Sequence, residues 1–163
     1  MMKIIAFISL ALLLSCSHKD SKELYLFNNA SYQMQEGEFI STVRPKINDL
    51  YKSYFNNQSL QVPLFKYIHH SRYNVFIGIP YNTCIGNMIN AKKLSSDCQD
   101  LVFEFDSHSF FKKYYKNRLY ICEYATSLDK GTIYLALTTG KKEISDSLFS
   151  KQKISKRIQF IKN

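Results

Sequence analysis

The 163-residue sequence lacks an apolar run long enough to cross a bilayer, which takes about 20 consecutive apolar residues. Its longest, Ile4–Leu14, is broken by Ser9 and followed by the polar stretch Ser17-His18-Lys19-Asp20-Ser21-Lys22, so a stop-transfer pattern is missing. Also missing are Gly-x-Ser-x-Gly, His-Glu-x-x-His, the P-loop and Gly-x-Gly-x-x-Gly, and with them the enzyme and nucleotide-binding classes read from those motifs. Without Cys-x-x-Cys or paired Cys/His spacing, a structural zinc is not expected. There is no Trp, only 3 Pro and 5 Gly, and no internal repeat or low-complexity block. What remains is 45% hydrophobic and 15% aromatic, enough to build a core rather than a disordered chain.

The first residues, MMKIIAFISLALLLSC, have the three parts of an export signal: a cationic start at Lys3, a short apolar core and small residues at a cut. The end of this run, Leu13-Leu14-Ser15-Cys16, resembles the lipobox of bacterial lipoproteins. Leu13 matches the aliphatic position three before the cysteine, and Ser15 the small residue before it. The resemblance implies that residues 1–15 are a signal peptide. It also implies that Cys16 receives a thioether-linked diacylglyceryl group and becomes the mature N-terminus. The chemistry needs a thiol there, because a thiolate is the nucleophile for alkylation. Several acyl chains, as the family implies, exceed the two anchoring signals that stable membrane attachment takes. Ser17 resembles the residue after the cysteine in lipoproteins sorted to the outer rather than the inner membrane. Residues 16–22 then read as a polar tether, and 23–163 as one domain.

Net charge is +9, one less once Lys3 leaves with the leader. An exported, membrane-held chain rarely meets nucleic acid, so the excess better suits a membrane surface or an envelope protein partner with an acidic surface. The densest basic stretch is Lys151, Lys153, Lys156, Arg157 and Lys162, which also reads as a solvated face. Cys84 and Cys98 flank a loop-like segment and are the candidate disulfide; in an oxidising compartment the bridge would contribute about 3 kcal/mol. The other reading makes Cys84, Cys98 and Cys122 small buried apolar residues.

Glu23–Asn28 reads as a first strand. Ile47, Leu50, Tyr51, Tyr54 and Phe55 fall on one face of a helix that starts after Thr42 and Pro45 and ends at Asn56-Asn57. Pro63–Arg72 and Tyr73–Pro80 read as strands, and Thr83 as the cap of a short helix. Leu101, Phe103 and Phe105 alternate on a further strand, and Ser109–Lys116 reads as a helical turn. Arg118–Leu128 and Thr132–Thr139 form a hairpin. Asp129-Lys130-Gly131 is its turn, and the apolar faces of Leu119 and Ile121 and of Ile133, Leu135 and Leu137 match across it. From Glu143 the tail is amphipathic as a helix, with Ile144, Leu148, Ile154, Ile158 and Ile161 on its stripe; Arg157–Lys162 reads alternatively as an edge strand. The resulting fold class is α+β: a mainly antiparallel sheet of about five or six strands with helices packed on one face.

Glu104, Asp106 and His108 alternate opposite the apolar side of their strand and are the candidate metal or acid–base residues. Alternate strand residues stand about 7 Å apart, too wide for one ion without other ligands. His69-His70 are neighbours on a strand and point to opposite faces, so they cannot chelate one metal together. Tyr120, Cys122 and Tyr124 share a face, with Tyr134 expected across from them as an aromatic layer or recognition patch. No cofactor is called for. The function expected is a membrane-tethered, non-enzymatic binding or accessory module. The rivals are an immunity or inhibitor protein that occludes an acidic enzyme or toxin, and a small metal-dependent hydrolase.

Overall fold

The computed structural model describes residues 22–26, 30–41, 64–79, 99–116, 118–128 and 131–161. Cys16 with its leader, the helix expected from Ile47 to Phe55, the short helix expected after Thr83, and Cys84 and Cys98 all lie outside the described residues. Among those described, the chain is β-rich. The strands are β1 Glu23–Tyr25, β2 Ala30–Gln33, β3 Phe39–Ile40, β4 Leu64–His70, β5 Tyr73–Gly78, β6 Gln99–Phe105, β7 Ser109–Lys116, β8 Leu119–Leu128, β9 Gly131–Thr139 and β10 Ile158–Phe160. Two short helices, α1 Lys142–Leu148 and α2 Lys151–Ser155, precede β10.

The strands form two sheets, ordered β1-β2-β10 and β3-β4-β5-β9-β8-β7-β6, and every pairing is antiparallel. The mainly antiparallel sheet expected from the sequence is therefore present. Of the expected helices two short ones are among the described residues, and the face of the large sheet that carries the main core meets the small sheet as well as these two. Ile68, Val75, Ile77, Phe111, Cys122, Tyr124, Ile133, Leu135 and Leu137 come from the large sheet. Ala30, Tyr32, Met34 and Ile158 come from the small sheet and its exit, and Phe149 and Ile154 from the helical segment.

The large sheet is buried on its other face too, by Phe76, Phe110, Tyr114, Ile121, Ala125, Tyr134 and Ala136 together with Lys112 and Glu123. Strands buried on both sides lose the alternation that marks a half-exposed strand. That explains Ser109–Lys116, which is the strand β7 and not a helical turn. Phe110, Lys112 and Tyr114 go to one face and Phe111 to the other.

The β8–β9 hairpin closes at Leu128↔Gly131, where Gly131 takes φ 133°, as its place in the turn requires. Its register corrects two pairings. Leu137 and Leu135 sit across from Cys122 and Tyr124, whereas Ile121 faces Thr138 on the opposite side. Tyr134 pairs with Ala125, so it stands on the other face from Tyr124. The expected tail helix is divided, α1 ending at Leu148 and α2 at Ser155, and the alternative reading of its end as an edge strand holds: β10 is an outer strand of the small sheet.

Candidate functional site

Where the small sheet meets the β4–β5 hairpin, five side chains converge. The β2–β3 turn, Gln35 to Glu38, is closed by the Glu38 N–H donating to the Gln35 carbonyl at 3.1 Å. Gly37 holds φ 82° at its tip, a left-handed conformation that suits glycine. The turn aims the Glu38 side chain inward, where it is fully buried, 0% exposed. There its carboxylate accepts from four donors: the Tyr73 hydroxyl at 2.8 Å, the Tyr32 hydroxyl at 3.1 Å, Arg157 Nη1 at 2.8 Å and the Gln35 N–H at 2.8 Å. Arg157 Nη1 also donates to the Tyr32 hydroxyl at 2.9 Å, and the guanidinium lies 5.4 Å from the Tyr73 ring centre. The Arg157 carbonyl accepts from the Gln33 N–H at 2.8 Å, so its backbone is pinned to β2 as well.

A charge pair removed from water is tolerable only when its hydrogen bonds are complete. Here the Glu38 oxygens are occupied, and the pair is a clamp tying β2, β5 and the entrance of β10 together. Burial pushes the Tyr73 hydroxyl up to about 12, with the Glu38 carboxylate adding to the rise and Arg157 opposing it. Burial likewise pushes Tyr32 well above the usual phenol range. Both hydroxyls therefore stay protonated donors near neutrality.

His70 closes the cluster from the side. Its ring stacks on Tyr73, with centroids 4.4 Å apart and planes 18° apart, and its Nδ1 accepts from the Arg72 N–H at 3.1 Å. His69 faces away, edge-on to Phe39 at 5.1 Å and 2.9 Å from Asn74 Oδ1. The two histidines are thus separated onto opposite faces, as strand geometry demands.

The Glu104, Asp106 and His108 group lies elsewhere. Only Glu104 is on β6; Asp106 and His108 belong to the turn into β7, and all three are exposed. Asp106 accepts from the Ser109 hydroxyl at 2.8 Å and from the N–H groups of His108 and Ser109 at 2.8 and 2.7 Å. These bonds, led by the Ser109 hydroxyl, hold its carboxyl below the usual range. Lys151 stands 3.7 Å from both Glu104 and Asp106. The corner is a braced turn, and among the described residues no three His, Cys, Asp or Glu side chains gather as a metal site. Cys122 is fully buried on β8, and burial raises its thiol far above the reactive range.

No family model matches the chain, and no curated protein matches it in sequence. Its fold is similar to the solution structure of cyanobacterial PsbP (CyanoP) from Synechocystis sp. PCC 6803. The TM-score is 0.52 at 11% identity, over 85% of this chain and 90% of that one. At that identity the likeness is one of fold. Among the described residues no helix is long and apolar enough to cross a membrane.

Sequence reasoning missed Glu38, Tyr32, Tyr73 and Arg157 as a group, and also a second buried polar set. Glu123 accepts from the Tyr134 hydroxyl and sits opposite Lys112 across β7–β8, both residues under 3% exposed. The Lys112 ammonium lies 5.1 Å from the centre of the Tyr114 ring. A lysine and a glutamate at facing positions of neighbouring strands would have been the signal, had Ser109–Lys116 been read as a strand.

Proposed function

We propose that the chain is a lipoprotein held to the outer membrane by lipid on Cys16, and that its β-rich domain is a non-enzymatic binding or accessory module of the cell envelope. The attachment is supported by the lipobox Leu13-Leu14-Ser15-Cys16. The binding role is supported by one structural observation: the outermost strands of the large sheet expose large apolar side chains. Phe39 and Ile40 on β3 are 55% and 40% exposed, and Val102 and Phe105 on β6 are 38% and 50% exposed. Outer strands are where partner chains add to a sheet, by main-chain pairing with side-chain contacts on either side. The basic excess suits a partner with an acidic surface, which includes the target of an immunity or inhibitor protein. A hydrolase at Glu104 and Asp106 is disfavoured, because the turn and Lys151 already engage those carboxylates.

The test is metabolic labelling with an alkyne fatty acid, followed by crosslinking in intact envelopes. The native chain should label, Cys16→Ala should not, and a specific crosslinked partner should be lost when Phe105→Lys is introduced on β6. Label on Cys16→Ala refutes the attachment. A chain that labels but crosslinks to nothing specific refutes the binding role.

A further inference from the structure

His70 has the geometry of a proton-sensitive latch. Its Nδ1 is an acceptor, receiving the Arg72 N–H two residues on, so that nitrogen carries no proton in the closed arrangement. One face of the ring stacks on Tyr73, whose hydroxyl donates to Glu38. At another edge the backbone of Gly37 approaches so closely that a Cβ there would lie 3.0 Å from His70 Cδ2 and Nε2. The ring is thus wedged between the β2–β3 turn and the β4–β5 hairpin, which are the two sides of the clamp. We propose that protonation of His70 unlatches this joint, so that the contact of the β2–β3 turn with the β4–β5 hairpin opens as the surroundings acidify.

The step is a proton uptake at Nδ1. The new N–H points at the Arg72 N–H, so the acceptor is lost and two donors oppose each other. The imidazolium also meets the charges of Arg72 in its own turn and of Arg157 at the entrance of β10, while His69, beside it on β4, faces away. The opposing carboxylate, Glu38 on the β2–β3 turn, is already engaged by Tyr32, Tyr73 and Arg157. Tyr73 offers a protonated hydroxyl, not a charge. Burial and, next, Arg72 hold the His70 imidazole below its ordinary value of 6.5. The sign follows: the open form binds a proton near pH 6.5 and the closed form resists it. The neutral ring therefore stabilises closure above that pH, and the stabilisation is lost as pH falls. At pH 5.5 the opening equilibrium rises at most about tenfold.

The experiment is NMR on the full chain, following imidazole nitrogen shifts and amide exchange between pH 7.5 and 5. His70 should be the Nε2–H tautomer and titrate below 6.5. After correction for intrinsic rates, the Arg72 and Glu38 N–H groups should exchange up to about tenfold faster at pH 5.5. His70→Asn keeps an acceptor for the Arg72 N–H without a titrating ring, and should abolish that acid response. His69→Asn should retain it. An Nδ1–H tautomer, titration at or above 6.5, or an undiminished response in His70→Asn overturns the proposal. If His70→Asn does not fold, the tautomer and titration of the native chain decide.

Discussion

Replacing Glu38 with Gln keeps the shape of the side chain and removes its charge. The consequence can be worked from the geometry. Three side-chain donors reach Oε1, namely the hydroxyls of Tyr73 and Tyr32 and Arg157 Nη1, while Oε2 accepts from the Gln35 N–H and Tyr32. An amide offers one acceptor oxygen and one donor nitrogen, so whichever way it turns, at least one donor faces an N–H. Arg157, with 7% of its side chain exposed, is left without a counter-charge. Breaking a buried pair from one side costs about 3–5 kcal/mol, a large part of a domain's stability of about 5–15 kcal/mol. Urea unfolding followed by tyrosine fluorescence measures this, since the chain has 12 Tyr and no Trp to mask them. Arg157→Met should cost a similar amount. The double variant should cost at least about 2 kcal/mol less than the two single costs together, because the second change removes a group already stranded by the first. Glu38→Gln within about 0.5 kcal/mol of the native chain, or two costs that simply add, would refute the clamp.

Two further changes test the surroundings. Gly37→Ala must place a Cβ at φ 82° and 3.0 Å from the His70 ring. A left-handed non-glycine residue alone costs about 1–2 kcal/mol, so a loss of about 2 kcal/mol in the same urea assay is expected, and no loss would show that the turn does not press on His70. Asp106→Ala removes the acceptor of the β6–β7 turn and should cost about 1 kcal/mol at pH 7. The Asp106 carboxyl is held below its ordinary 3.8. Its contribution is therefore complete above that pH and disappears as pH falls through the lower folded value. Thermal unfolding of native and variant chains should converge near pH 2, and a gap that persists there would assign the loss to packing instead.

The hairpin and the strands around it were legible because local rules suffice for them. β8 and β9 are joined by a turn with glycine where φ is positive, and β5 carries Tyr73, Val75 and Ile77 toward the core in plain alternation. β7 was not legible for a physical reason. Its sequence SFFKKYYK puts apolar residues in pairs, a pattern that fits one helical turn as well as a strand buried on both sides. Only the sheet decides, through partners on β6 and β8 that local propensity does not contain. The split into two sheets was hidden in the same way. β1 was expected within Glu23–Asn28, but β2 and β3 have four and two residues, too short for periodicity to register.

The clamp was illegible for a stronger reason. Arg157 meets Tyr32 and Glu38 across 125 and 119 residues of chain, and Glu38 meets Tyr73 across 35. No window along the sequence holds the set together. The basic tail carried two readings: a helix continued from Lys151 would align Ile154, Ile158 and Ile161 on its apolar stripe and leave Arg157 among the solvated lysines, and only the edge-strand alternative holds. The chain instead breaks after Ser155 and turns into β10. Ile161 is then 43% exposed, and Arg157, only 6% exposed, is carried inward to the carboxylate that the Gly37 turn has already placed there. A polar residue shows itself as buried only through what surrounds it. Here the surroundings are assembled by a turn at residues 35–38, a hairpin at 70–73 and a helix break at 156, each ordinary alone and specific only in combination.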